Sequence, residues 1–374
     1  GSYNTFIGAE AGKGNQSAPY SSGEKNVAMG YQALDGFTTG QQNVAVGYQA
    51  ATDLTTGYYS TFVGYQAGQN VTTGNNNIFM GFQAGSDVTD TTAKIAIGYR
   101  AGVVNGGGFD VHIGYEAGAN VTAGGNVSIG RAAGRGYHGV GQAEYGANTT
   151  NRFNISIGNY AGERVIGAQN AHIGYEAGRY ATGSNNTFMG YEAGKGGTTS
   201  APYSSGENNT AIGYQALTAF TTAAGVTAVG YQTLTALTTG IGNSGLGDRT
   251  LKLLTTGQYN TALGNQAMEN TVDGNRNIAI GYQAGSYVLN DYNTAVGFNA
   301  GKTMSGSHNT FVGNEAGLGG GGTSAPYSSG QYNTSVGSEA LKGTTTANYN
   351  VAIGYQAGTV VTTGGNNVFL GGYR

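Results

Sequence analysis

Four histidines, His112, His138, His172 and His308, are the side chains in this 374-residue chain best suited to acid–base work or metal ligation. They lie far apart in sequence, and no serine, histidine and acid group into a nucleophilic triad. Cysteine is absent, which removes thiolate chemistry, disulfides and cysteine-bound metal. Two glycine-rich stretches, "GGGF" (106–109) and "GLGGGG" (317–322), lack the lysine and hydroxyl that a phosphate loop needs. Acidic residues come singly, so calcium-binding repeats are not present. The series Gln32, Gln49, Gln66, Glu116, Glu176 and Glu192 could pass for a catalytic set, but it recurs at a regular interval, as a solvated face does. The expectation is a protein that is not an enzyme and carries no cofactor.

That interval organises the whole chain. "NVAVGYQA" (43–50) returns as "STFVGYQA" (60–67) and "NIFMGFQA" (77–84). The glycine after the apolar triplet recurs from Gly8 through Gly30, Gly47 and Gly64 to Gly371, mostly at intervals of 16 or 17 residues. A short fixed period is the signature of a solenoid, in which no single coil can bury a core alone. A longer period lies above it: Gly8 to Gly190 is 182 residues and Gly190 to Gly371 is 181. The chain therefore divides into a first copy, 1–182, a second, 183–363, and the start of a third, 364–374. With "GSYNTF" opening the chain without a methionine, the expectation is a piece cut from a longer array.

Composition agrees with strands and turns: 71 glycines, 3 prolines and 9% charged residues, with few helix formers. A net charge of −3 without a basic patch does not suit nucleic acid. No apolar run approaches the ~20 residues of a membrane span, so direct membrane insertion of this segment is not expected.

Each position of the coil has its own residue type. The residue before the glycine is aliphatic in all 21 coils, and two places earlier stands mostly Val, Ile or Thr. Residues two apart on a strand share a face, so these two rows are expected to point into the coil, and an aspartate at Ile97 is expected to be severe. Asparagine holds 17 of 21 positions four places before the glycine, where amides can bond to one another along the stack. Tyrosine follows the glycine in eleven coils, suited to an aromatic ladder, and alanine stands three places after it in 18 of 20, suited to a closely packed second strand. On this assignment the position between the two aliphatic rows faces outward. It holds Phe6, Ala28, Ala45, Phe62, Phe79, Phe188, Phe311 and Phe369 among others, and no Asp, Glu, Lys or Arg. An exposed apolar stripe calls for a cover, and other chains are the economical one, which makes these residues candidates for a subunit interface.

Two segments, "NVAIGYQAG" (350–358) and "NTAIGYQAL" (209–217), resemble the head repeats of trimeric autotransporter adhesins and the similar repeats of phage tail-fibre proteins. The resemblance implies an all-β, left-handed parallel β-solenoid or β-roll, three chains side by side, and an extracellular fibre on a cell surface or virion that attaches to a receptor or glycan. The coil is longer than the usual adhesin-head repeat. An alternative from another class is a monomeric solenoid that binds ice or a carbohydrate lattice through a flat ladder such as "TTG" (38–40, 55–57, 72–74).

Four coils are longer than the rest. Three carry "SAPYSSG" (17–23, 200–206, 324–330), and the fourth carries an excursion at 131–154 rich in Arg, Tyr and His. Insertions leave a solenoid as loops, and loops commonly bind. Pro19, Tyr20, Arg135, Tyr137, His138, Tyr145, Pro202, Tyr203, Pro326 and Tyr327 are therefore receptor-contact candidates, unless the loops act as spacers or lock neighbouring chains. His112 and His172 fall in the row assigned to the outside. If that row lines a three-fold axis, three symmetry-related imidazoles could hold zinc or another transition metal there.

Overall fold

One strand of three residues per coil, stacked in parallel on the next, is the structural unit of this chain. The computed structural model describes residues 1–14, 20–104, 107–136, 151–197, 203–287, 290–320 and 328–372. Two compact units divide it, 1–186 and 187–374. Among the described residues the first holds ten strands, from β1 (Thr5–Ile7) to β10 (Ala171–Ile173), and the second eleven, from β11 (Thr187–Met189) to β21 (Val368–Leu370). Within each unit consecutive strands pair in parallel with like positions aligned, as in Ala28↔Ala45, Ala45↔Phe62 and Ala211↔Ala228. The fold is an all-β parallel β-solenoid, and no helix occurs among the described residues.

The inward and outward rows are the reverse of the sequence expectation. The central residue of each strand is the buried one: Ala28, Ala45, Phe62, Phe79, Phe188 and Phe311 are at most 2% exposed. Phe369 is half-buried and Phe6 lies at the edge of exposure, both on the first or last coil. The aliphatic residues on either side turn outward, with Met29 44% and Leu246 48% exposed. Ile97, expected inside, is only half-buried. The six inner residues therefore fill the coil itself, and the row cannot meet another chain as an exposed stripe.

The reversal follows from the width of the coil. No second strand forms among the described residues: after the glycine the chain turns at once, and two of the next four residues take left-handed backbone angles, as at Gln32 (φ 53°) and Leu34 (φ 55°). The interior left by such tight turns holds one large side chain per coil. Where the central residue is a ring, the residue six places on is glycine: Phe6 with Gly12, Phe62 with Gly68, Phe188 with Gly194 and Phe311 with Gly317. A Cβ at any of those four glycines would sit 2.2–2.4 Å from the ring. Where the central residue is small, a leucine or methionine often occupies that sixth place, as in Ala28 with Leu34, Gly245 with Leu251 and Ala262 with Met268. In these coils the two positions trade volume, as a close-packed interior favours, whereas Ala96 with Gly102 and Ala279 with Gly285 leave both places small.

The asparagine row is also inside, two residues before the central position and on the same face. Asn43 Nδ2 donates to Asn26 Oδ1 at 3.2 Å and to Gly57 O at 2.8 Å, and the Asn43 backbone N–H donates to Asn26 Oδ1 at 3.0 Å. The same three bonds recur at Asn260 and Asn350. Each of these amides closes its own coil and ties it to the previous one, which satisfies its polar groups on burial.

Candidate functional site

The outer surface of each unit is built from ladders. Tyr31, Tyr48, Tyr65, Phe82, Tyr99 and Tyr115 stack face to face with ring centroids 4.8–5.3 Å apart. Shorter runs recur at Tyr191, Tyr214 and Tyr231 and at Tyr282 with Phe298. Because each face is taken by the next ring, what reaches solvent is mainly ring edges. His308 joins a second such column, between Tyr292 and Tyr332 at 4.9 and 4.8 Å. Beside the first column, Gln49, Gln66 and Gln83 each donate an amide bond of 2.9–3.0 Å to the glutamine of the previous coil. The first threonine of "TTG" is likewise engaged: Thr38, Thr55 and Thr238 donate their hydroxyls to a carbonyl of the next coil, as does Thr221 of the equivalent "TTA".

His112 and His172 belong to the central row and are wholly buried inside the coil. They do not reach a surface where symmetry mates could gather, and no cluster of three metal-ligating side chains exists among the described residues. The rings fit for the same reason as the phenylalanines: Gly118 and Gly178 stand six residues on, and a Cβ there would lie 2.0 and 2.4 Å from His112 and His172. Next to His112 the asparagine row changes to Lys94 and Asp110, both fully buried. Asp110 Oδ1 accepts the Asn126 N–H at 2.8 Å, its Oδ2 lies 3.8 Å from His112 Nε2, and Lys94 Nζ donates to Val104 O at 3.3 Å. Burial lowers the Lys94 pKa to about 8, with Asp110 opposing, and burial also lowers that of His112.

Burial lowers the His172 pKa from 6.5 to about 4. Between those values the unfolded chain takes up a proton that the folded one refuses, so stability is greatest above pH 6.5 and falls as pH drops toward 4. The loss from this residue is about 3 kcal/mol at the lower end. His172→Phe, which places in this coil the ring and glycine pair of Phe188 and Gly194, is expected to flatten that slope. Denaturant melts of parent and variant from pH 7 to pH 4 check it, and parallel curves would exclude the effect.

Charge concentrates around the base of the 131–154 excursion. Arg135 bridges Glu116 (2.5 Å) and Glu163, and Arg179 bridges Glu163 (2.6 Å) and Glu176 (2.7 Å). Burial opposes the Arg135 charge, but Glu116 and Glu163 outweigh it and hold its pKa above the usual guanidinium value. Arg131 lies over the rings of Tyr115 and Tyr160, at 5.8 and 5.3 Å. Arg135 was legible as a candidate from the insertion, whereas its partners Glu116 and Glu163 come from neighbouring coils. Of the other insert residues, Tyr20 is 74% exposed and Tyr203 is half-buried. The ends of two inserts are tied down, since Ser21 Oγ donates to Phe37 O and Ser204 Oγ to Phe220 O. Pro19, Tyr137, His138, Tyr145, Pro202, Pro326 and Tyr327 lie outside the described residues.

No family model matches the chain, and no curated protein matches it significantly. No helix among the described residues is long and apolar enough to cross a membrane.

Proposed function

We propose that the chain is a non-enzymatic structural fibre, a homotrimeric β-solenoid shaft outside a cell or on a virion that carries its inserts as attachment loops. The observation that carries this reading is the outward aliphatic row: the residue before the glycine is Ile, Leu, Met or Val in every coil, and each of these side chains is either exposed or half-buried, none being fully buried. Beside it the first strand position adds Val27, Val44, Ile78, Ile95 and Val111 in the first unit. An apolar stripe repeated along each unit needs a cover, and identical chains with the same coil period supply one in register. The interface residues are then Met29, Val46, Met80, Ile280 and their equivalents, in place of the central row.

The monomeric lattice-binding reading has less support, because the stacked tyrosines present edges and the first threonine hydroxyls are spent within the chain. The mass of the chain in solution tests the proposal. Three chains per particle are expected down to micromolar concentration, and a stable monomer would exclude the trimer.

A further inference from the structure

Six of the nine arginines in the sequence, Arg100, Arg131, Arg135, Arg152, Arg164 and Arg179, fall between residues 100 and 179. There the repeat departs from its own pattern. Arg100 takes the column that Gln49, Gln66 and Gln83 fill in the coils before it. Five places after the glycine, two coils carry the small, buried Val103 and Ala119, and the next two carry Arg135 and Glu163. The step leaves a cleft of about 210 Å³, lined by Arg100, Glu116, Asn120, Arg135, Glu163 and Arg164 with Val103 and Ala119.

The charges of this cleft are unevenly matched. Arg135 is committed to Glu116 and Glu163. The Arg164 guanidinium stacks on Tyr180 at 5.4 Å. Arg100 is exposed and has no ion pair among the described residues. A ligand that completes the site brings one negative charge for the Arg100 fork and hydroxyls for the two glutamates and Asn120. A guanidinium matches a carboxylate in bidentate geometry, and carboxylates accept hydroxyl hydrogens. A phosphate dianion would meet Arg100 but be repelled by Glu116 and Glu163. The volume lies below the ~300 Å³ typical of drug-sized pockets and suits a sugar unit.

We infer that this cleft binds a monoanionic acidic sugar, a uronic-type residue, with Arg100 holding the carboxylate and Glu116, Glu163 and Asn120 accepting or donating to its hydroxyls. The inference deepens the attachment reading by naming a ligand class. Its lining residues all come from one chain, so it stands or falls apart from the trimer.

Calorimetric titration of the full chain with a uronic-acid disaccharide, its carboxyl-reduced form and inorganic phosphate tests it. Binding of the uronide at one site per chain is expected, with the reduced sugar and phosphate each at least about tenfold weaker. Arg100→Gln restores the residue that this column carries in the preceding coils, so it is expected to fold normally and lose about tenfold or more in affinity. Arg249→Gln, the same column in the second unit, is expected to change nothing. Equal binding of uronide and reduced sugar, phosphate binding as tightly as the uronide, full affinity in Arg100→Gln, or no uronide binding would each overturn the assignment.

Discussion

Ala45→Asp is expected to abolish cooperative folding of the first unit, while Val46→Asp, one residue on, leaves the fold intact. Ala45 is fully buried between the aligned residues Ala28 and Phe62. A carboxylate there has no charged partner and no water, and the buried Asn43 amide on the same face is already committed to Asn26 and Gly57. An uncompensated buried charge costs on the order of 3–5 kcal/mol. In a repeat fold each coil supports its neighbours, so the damage spreads along the stack. Val46 points the other way and is only half-buried, so an aspartate there reaches water. Thermal melts followed by far-ultraviolet circular dichroism compare the two variants at equal concentration. Equal loss in both would refute the observed inside and outside. On the trimer reading Val46→Asp also lowers the particle mass, because it sets three charges into the aliphatic interface.

Gly64→Ala is expected to cost several kcal/mol, and Gly225→Ala about 1 kcal/mol or less. Gly64 has φ +137°, a region open essentially to glycine alone, and a Cβ there would lie 2.4 Å from the Gly81 carbonyl oxygen. That oxygen is backbone, fixed by the next coil, and cannot swing away. Gly225 has φ +65°, which an L-residue reaches at modest cost, and the nearest atom to its Cβ would be 4.0 Å away. Gly225 stands in a column that other coils fill with Lys25, Gln42 and Tyr59 at similar backbone angles, so a difference of at least 2 kcal/mol in denaturant unfolding would isolate the close approach of successive coils at Gly64. Similar stabilities would show that the stacked glycines have room to separate.

Much of this architecture is written in the spacing of the sequence. The 16–17 residue period, the glycine that closes each strand, the asparagine amide ladder and the tyrosine ladder are each legible because one residue type recurs at one place and only stacking explains the recurrence. Handing the aliphatic rows to the interior was where the reading failed. A three-residue strand has two faces related by a shift of one, and hydropathy alone favours Val and Ile over Ala, Ser and His for the inside. The asparagines pointed the other way, since they share a face with the central row, but a polar residue reads as surface until its hydrogen bonds are seen.

One signal for the correct face was present in the residues themselves. Phe62 with Gly68, Phe188 with Gly194 and Ala28 with Leu34 exchange volume across six positions, which only side chains sharing one closed space need to do. The sequence by itself thus determined the coil, its period, its turn glycines and its ladders, because these are local or strictly repeated. Only the tertiary structure decided which face is inside, because that depends on how narrow the tight turns make the coil. It alone also brought Arg100, Glu116, Asn120, Arg135, Glu163 and Arg164 to one cleft, since residues up to 64 positions apart become neighbours only when four coils are stacked.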